Sequence, residues 1–294
     1  MERPSWPAPL ATPTLRSVAH AGVWIVLASL PPLNLTSLQA PHADGFCRAL
    51  SEYLAQALCR AVRFVDVEPW QARERLLDAG QIELAWICGL PYTRRREVAD
   101  PGVGLLVAPV MALPRYEDRP IYFSDVVVRR ESPWRAFSDL GGTRWAYNEP
   151  SSHSGYCLTC FELARMGLHS SFFASVVEAG SHEAALELLL EGRIDATGLD
   201  STVLDAMIER RPELVEELRV IATWGPSAIP PWVVSTRVDE PTRLRLLEIL
   251  SSMHLDPVGR AILADAQTAR FSPVEDADYD SIRAMARAAK DVTL

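Results

Sequence analysis

Short apolar runs along the chain alternate with stretches in which apolar residues recur every three to four positions. The runs predict buried strands, since a strand covered on both faces is apolar throughout. They lie at residues 23–30, 63–67, 84–87, 103–111, 122–128, 144–147, 173–178, 196–199, 219–223 and 232–235. The recurrence of apolar residues every three to four positions predicts helices. Counted with their caps, they lie at residues 44–58, 70–79, 152–167, 181–191, 201–210, 241–255, 257–269 and 279–289.

This alternation of strands and helices is typical of α/β units with mostly parallel strand pairing. Proline and small residues dominate residues 1–13, which predicts a disordered lead-in. No repeat with a fixed period is visible in the rest of the chain. The sequence therefore predicts two α/β lobes followed by a helical C-terminus.

Composition narrows the class of protein. Of the 294 residues, 48% are hydrophobic and 23% are charged, which suffices for a buried core and excludes a disordered chain. The net charge is −9 and Lys290 is the only lysine, so we expect no nucleic-acid partner, which would need clustered cations. No apolar run approaches the roughly 20 residues that a membrane-spanning helix needs.

The cysteines and the N-terminal segment bear on the cellular compartment. Five cysteines are an odd number at low density, so no disulfide framework is implied and a reducing compartment is favoured. The apolar stretch at residues 21–30 fits an export signal badly, because Glu2, four prolines and only two arginines precede it and no convincing cleavage site follows. Cys157 and Cys160 have no second pair beside them, so we expect reduced thiols, no metal and no cofactor.

The most distinctive segment, WAYNEPSSHSGY, runs from Trp145 to Tyr156. A strand ends there, a proline turn follows, and four polar residues, Ser151 to Ser154, open a helix. The first N–H groups of a helix have no internal partner and lie at the positive end of its dipole, so the segment fits an anion site. It fits an ordinary serine cap equally well, and the spacing alone leaves both interpretations open.

Two further segments place polar side chains where a strand gives way to a helix or a loop. AGSHE contains His182, and ATGLDS contains Asp200, at the sheet edge where α/β proteins bind ligands. Asp200 suits a cationic or hydroxylated ligand group, or together with Ser201 simply caps the next helix. Tyr92 ends the segment WICGLPY in a predicted loop, where it suits a cleft wall or the core.

These segments resemble the phosphonate/phosphite-binding family of periplasmic solute-binding proteins, the receptors of ABC importers. The resemblance runs from about residue 15 onward and is most specific around NEPSSHSGY. Its other matching parts are LAWICGLPY, YFSDVVVR, GSH and GRIDATGLDS. It implies a two-lobed type II binding-protein fold, with a ligand cleft between the lobes. It also implies non-catalytic binding of a small anionic or zwitterionic metabolite, phosphonate-like or phosphate-ester-like.

The resemblance also implies the division of the chain and its site residues. Residues 14–112 would form lobe 1, residues 113–226 lobe 2, and residues 227–294 would return to lobe 1, with hinges near 111–119 and 224–231. The residues implied to bind the ligand are Tyr92, Ser124, Ser152, His153, Ser154 and Asp200, with Tyr122, Asp125, Ser151 and His182 as further candidates. The anionic head group would be held by Ser124, Ser152, His153 and Ser154. Tyr92 would line the wall of the opposite lobe, and Asp200 would contact the distal, often amino-bearing part of the ligand.

Asp125 departs from the family pattern, which commonly has a neutral residue beside the anion. If its carboxylate faces the cleft, a doubly charged anion is disfavoured. If it faces away, which strand alternation allows because Ser124 precedes it, an arginine such as Arg144 or Arg129 could pair with it. Both orientations stay open at this point.

The resemblance implies a monomer that serves an ABC permease, in the periplasm or cell envelope, although the residues themselves show no convincing export signal. Two alternatives remain. One is a cytosolic biosynthetic enzyme on the same fold, of the menaquinone or thiamine-pyrimidine type, in which His153, Cys157 and Cys160 would be reactive. The other is a sensing module whose output is another protein.

Overall fold

The computed structural model describes residues 30–294 of the chain. The lead-in expected at residues 1–13 lies outside the described residues, and so does the strand expected at 23–30, apart from its last residue. Within the described part, no helix is long and apolar enough to cross a membrane.

Eleven strands and ten α-helices make up the described residues, joined by short 3₁₀ turns and one π-helical turn. The strands are β1 Leu33–Ser37, β2 Val62–Phe64, β3 Leu84–Trp86, β4 Val103–Met111, β5 Ile121–Arg129, β6 Arg144–Tyr147, β7 Ser175–Glu178, β8 Ala196–Asp200, β9 Leu218–Ala228, β10 Trp232–Ser235 and β11 Thr268–Ser272. The helices are α1 Asp44–Leu58, α2 Arg73–Asp78, α3 Gly89–Arg96, α4 Leu158–Arg165, α5 His182–Leu190, α6 Ser201–Arg210, α7 Leu214–Glu217, α8 Glu240–Ser252, α9 Pro257–Asp265 and α10 Asp280–Ala288.

The strands form two mixed sheets. The first has the order β11-β4-β10-β3-β1-β2 and the second the order β7-β6-β8-β5-β9. The pairs β1–β2, β1–β3, β6–β7 and β6–β8 are parallel, whereas β4, β5, β9, β10 and β11 join their neighbours antiparallel. The expectation of mostly parallel pairing was therefore wrong. β5 and β10, the first strands after each crossover between the sheets, run antiparallel to both of their neighbours, and β11 runs antiparallel to β4.

The two sheets organise the two lobes. The chain passes from the first sheet to the second between β4 and β5 and returns between β9 and β10. We call the elements around the first sheet the first lobe and those around the second sheet the second lobe. The C-terminal helix α10 contacts α3 of the first lobe and α4 of the second. Beyond it, Val292 and Leu294 pack on the core of the second lobe.

Several predicted elements coincide with observed ones, including α1, β4, β6 and β10. Three were missed. β1 reads LNLTS, with Thr36 and Ser37 fully buried, so its apolar run is broken by polar residues. α3 was expected as a loop, but Pro91 lies in its first turn, where a missing N–H costs no hydrogen bond. β11 falls partly inside the helix expected at 257–269, which ends at Asp265.

Candidate functional site

A small pocket, which we call the inner pocket, lies between the two lobes at the carboxyl ends of parallel strands. Its walls follow β1 (Gln39), β3 (Cys88), β6 (Asn148), β7 (Gly180) and β8 (Asp200). Its volume is about 30 Å³. The carboxyl edge is where open α/β sheets bind ligands, so the topology brings polar residues from distant parts of the chain to one place.

The π-helical turn His153–Cys157 forms one side of this pocket. Ser152 is its N-cap, and the hydroxyl of Ser152 accepts a hydrogen bond from the N–H of Gly155 at 3.1 Å. Ser154 Oγ lies 3.2 Å from Nε2 of His182 on α5. The structure therefore brings Ser152, Ser154 and His182 together at the inner pocket. Ser152 caps the turn and also lines the pocket, so the two interpretations of this segment are compatible.

Gly155 permits the close approach of Asn148 to this turn. A Cβ added at Gly155 would lie 2.1 Å from Asn148 Oδ1 and 3.2 Å from His182 Cε1. No larger residue fits there without moving Asn148, so the glycine in SHSGY has a steric reason. The turn, the amide of Asn148 and the imidazole of His182 form one packed unit.

Polar atoms of the residues that line the inner pocket lack protein partners. Gln39 Nε2, Asn148 Oδ1 and His182 Nδ1 are buried and have no hydrogen-bond partner among the described residues. A buried polar atom without a partner costs free energy, so native structures satisfy such atoms with water or a ligand. The pocket thus offers both donors and acceptors to a small polar group.

The titratable groups of the pocket are shifted towards their neutral forms. Burial raises the pKa of Glu149 to about 7 and that of Asp200 to about 6. Burial lowers the pKa of His182 to about 3, so this imidazole is neutral near pH 7. No arginine or lysine lines the inner pocket in the part of the chain that the structure describes. Hydrogen bonds, rather than opposite charge, would have to hold an anion here.

Asp200 lies at the rim of the pocket and also caps α6. Its Oδ1 accepts hydrogen bonds from the N–H of Thr202 at 2.8 Å and from the Thr202 hydroxyl at 2.7 Å. Ser201, the other expected cap, instead accepts a hydrogen bond from the N–H of Phe123. Asp200 therefore caps α6 and lines the inner pocket in the same conformation.

The side chains of Ser124, Tyr122 and His153, which is the first residue of the turn, do not line the inner pocket. The hydroxyl of Ser124 donates to the carbonyl of Ser154 at 2.9 Å, and His153 Nε2 lies 2.9 Å from Ser227 Oγ. The N–H of His153 points to Cys88 Sγ of the first lobe at 3.4 Å. Burial lowers the pKa of His153 to about 3, and Tyr122 packs against its ring. These side chains are fully buried, and their described contacts are with the turn, with each other or with neighbouring protein groups.

Tyr92 and Ser151 lie elsewhere than expected. Tyr92 belongs to α3, is 1% exposed, and packs edge-on against Tyr279 in the core of the first lobe. Its hydroxyl donates to Asp276 at 2.5 Å, so it does not form the cleft wall that the resemblance implied. The hydroxyl of Ser151 donates to Glu149 at 2.9 Å, beside the inner pocket.

Asp125 faces away from the inner pocket. Both of its carboxylate oxygens accept hydrogen bonds from Arg115 at 2.9 Å, and Oδ1 also accepts one from Thr223 at 2.7 Å. The expected partners Arg144 and Arg129 pair instead with Asp195 and Glu131. Strand alternation explains the result, because Ser124 faces the turn and its neighbour therefore faces the opposite side.

Sequence reasoning missed several residues that line the inner pocket, including Gln39, His42, Trp70, Cys88 and Asn148. Gln39 and His42 follow β1, the strand that was not predicted. Asn148 stood inside the segment WAYNEPSSHSGY, directly after a predicted strand, and its position at the carboxyl end could have singled it out. Cys88 likewise directly follows a predicted strand, the one at 84–87, whereas Trp70 carried no comparable pattern.

Comparison with known proteins gives one family and several structures. The family model of ABC-transporter phosphonate periplasmic substrate-binding proteins matches residues 45–279. A binding-protein component of an ABC phosphonate transporter from Pseudomonas aeruginosa superposes with a TM-score of 0.78 at 14% identity, over 88% of this chain and 87% of that one. PhnD1 from Prochlorococcus marinus, in complex with methylphosphonate, gives 0.77 at 18% identity, over 89% and 99%.

A third structure is the protein XAC2383 from Xanthomonas citri bound to ATP. It superposes with a TM-score of 0.70 at 19% identity, over 88% of this chain and 97% of that one. At such identities the structures establish the fold, and the expected two-lobed binding-protein fold with a cleft between the lobes is confirmed.

Proposed function

The chain belongs to the family of phosphonate periplasmic substrate-binding proteins of ABC transporters, and from this premise we propose that the inner pocket holds the head group of a small phosphonate-type ligand. The resemblance stated from the sequence is confirmed by the same match. The ligand is anionic or zwitterionic, and it binds without being chemically changed.

The observation that carries the proposal is the polar inner pocket at the carboxyl ends of both sheets. Ser152 and Ser154 at the π-helical turn offer hydroxyl groups, at the N-terminal end of a helical segment whose dipole favours an anion. The unpartnered Gln39 Nε2 supplies a further donor. These donors suit the oxygens of a phosphonate, which accept several hydrogen bonds at once.

The carboxyl groups of the site favour a zwitterion over a simple anion. Asp200 and Glu149 line the same pocket, and neither has a cationic partner among the described residues. An ammonium group on the ligand would pair with either carboxylate, whereas a bare dianion would meet two groups that can become negative. An aminophosphonate therefore fits the charges better than methylphosphonate does.

Ligand binding closes the two lobes in this proposal. The hinges are the segments near residues 111–119 and 224–231, where the chain crosses between the sheets. The His153–Cys88 hydrogen bond connects the lobes beside the pocket. The partner is the permease of an ABC importer, the location is the periplasm or cell envelope, and the protein acts as a monomer.

The enzyme alternative gains no support from the family match, because the matched family is one of substrate-binding proteins. It would require His153, Cys157 and Cys160 to be reactive. The imidazole of His153 is buried against Ser227. Burial raises the pKa of Cys157 to about 12 and that of Cys160 to about 11, which leaves both as unreactive thiols.

Calorimetric titration tests the proposal with two probes, methylphosphonate and 2-aminoethylphosphonate. The double variant Ser152→Ala/Ser154→Ala removes two hydroxyl groups, and charge-assisted hydrogen bonds contribute roughly 1.5–3 kcal/mol each, so we expect at least about a tenfold loss of affinity. Ser252→Ala, on the exposed side of α8, is the control. Unchanged affinity in the double variant would overturn the assignment of the head-group site.

A further inference from the structure

A second and larger cavity, which we call the outer chamber, opens beside the inner pocket. The two share Gln39, His42, Asp200 and Val203 in their walls, so a single ligand can extend from one into the other. The outer chamber has a volume of about 250 Å³. A cavity of about 150 Å³ is enough to bind benzene, so this one has room for an aromatic ring.

The walls of the outer chamber are mainly apolar and come from both lobes. Phe46 and Ala49 of α1 and Trp86 of β3 form the wall of the first lobe, and Val203 and Ala206 of α6 form the wall of the second. An apolar ligand group that displaces water from these walls is stabilised, because apolar surface of both the ligand and the protein is then buried.

Trp86 is held rigidly in this wall. Its ring stacks on Trp232 with centroids 5.7 Å apart and meets Phe46 edge-on at 5.9 Å. Its Nε1–H donates to the carbonyl of Pro230 at 3.0 Å, so the one polar atom of the indole is already satisfied. A preorganised aromatic wall loses little entropy when a ligand group packs against it.

The charges of the outer chamber argue against a second anionic group. Among the described residues, its acidic side chains are Asp200, Glu209 and Asp265, and its one arginine, Arg210, lies 3.1 Å from Glu183. Glu209 accepts a hydrogen bond from Gln267 at 2.6 Å. Carboxylates thus outnumber free cations here, so an uncharged group is favoured over a chain of phosphates.

We propose that the ligand of this protein carries an uncharged apolar substituent of at least the size of an aromatic ring, which occupies the outer chamber while the head group lies in the inner pocket. The inference rests on the proposed function and names the substrate class of that site. A methyl substituent would leave the outer chamber to water, and an aromatic or branched aliphatic one would bury the surfaces of Phe46, Trp86 and Val203.

The test compares methylphosphonate with benzylphosphonate by calorimetric titration. We expect the unmodified protein to bind benzylphosphonate at least about tenfold more tightly, because the ring adds buried apolar area. Ala206→Phe fills the outer chamber from the second lobe and Ala49→Phe from the first. Each should bring the ratio of the two affinities close to one while leaving that of methylphosphonate within about threefold. Ala284→Phe, at an exposed position of α10, is the matched control and should keep the preference.

Each result decides the question. Binding of both probes with equal affinity, or of methylphosphonate alone, overturns the inference and leaves the proposed function intact. Binding of neither overturns the inference, and it overturns the proposed function as well if 2-aminoethylphosphonate also fails to bind. A benzyl preference that survives in both filled variants places the ring elsewhere and overturns the inference. Should neither filled variant fold, the ratio in the unmodified protein still decides, since a ratio of one contradicts the inference.

Discussion

The inner pocket and the outer chamber lie between the same two lobes and share four wall residues, yet their construction differs. The inner pocket is built from turns that follow strand ends, so its shape depends on the backbone and on one glycine. The outer chamber is built from side chains of α1, β3 and α6, whose sizes can change without moving a strand. The fold therefore fixes where a head group binds, and side-chain size decides which substituent can accompany it.

The largest effect that separates the two cavities should come from Gly155→Ala. The new methyl group would lie 2.1 Å from Asn148 Oδ1, so the amide must move into a pocket of about 30 Å³. We expect affinity for methylphosphonate and for benzylphosphonate to fall together, by more than about tenfold, because both need the head-group site. Overpacking should also lower the free energy of unfolding by about 1–3 kcal/mol.

The matched control is Gly104→Ala on β4, where an added Cβ meets no atom of the described residues within 4 Å. It should leave both affinities unchanged in the same titrations. If Gly155→Ala binds methylphosphonate as the unmodified protein does, the head group does not lie at the π-helical turn. If it weakens only benzylphosphonate, the two cavities do not divide the ligand as proposed.

The same contrast explains which parts of the site could be predicted from the sequence. Ser152, Ser154 and Asp200 were singled out by local patterns, because the two serines open the helix after a predicted strand and Asp200 directly follows one. Gln39 was missed because β1 carries Asn34 and Thr36 and does not look like a buried strand. The outer chamber has no local pattern at all, since Phe46, Trp86 and Ala206 meet only through tertiary packing.

Tyr92 and His153 show a second limit of sequence reasoning. Both residues were assigned to the ligand through the resemblance, and both are buried with protein partners, Asp276 and Ser227. A polar tip on an aromatic ring serves a core hydrogen bond as readily as a ligand contact. Only the positions of the partners, 184 and 74 residues away along the chain, decide between the two.

A smaller effect should appear in the pH dependence of binding at the inner pocket alone. Burial raises the pKa of Glu149 to about 7, so the carboxyl is ionised above that pH and protonated below it. Ionisation repels an anionic head group, and affinity for methylphosphonate should therefore rise about fivefold as the pH falls from 8 to 6. In Glu149→Gln the side chain stays neutral, so the rise should be reduced to what the ionisation of methylphosphonate itself and of Asp200 contribute.

Calorimetric titrations of the unmodified protein and of Glu149→Gln with methylphosphonate at pH 6, 7 and 8 measure this pH dependence. The ionisation of methylphosphonate affects both proteins equally, so the difference between them reports on Glu149. Ala206→Phe, which changes the outer chamber only, should retain the full pH dependence. An identical pH profile in Glu149→Gln would show that this carboxyl does not face the head group.

The smallest effect on binding is expected at Asp125, the residue that departs from the family pattern. Its side chain is 1% exposed and is held by Arg115 and Thr223 on the side of β5 away from Ser124. Asp125→Thr should therefore leave the affinities for methylphosphonate and benzylphosphonate within about twofold. It should lower the free energy of unfolding by about 2 kcal/mol, less than the loss of a fully buried pair, because Arg115 is about a third exposed and keeps Asp205 at 3.3 Å. Urea unfolding and titration measure the two quantities separately. A gain of anion affinity in the variant would mean that the charge of Asp125 reaches the inner pocket, and it would then be a third carboxylate disfavouring a dianion there.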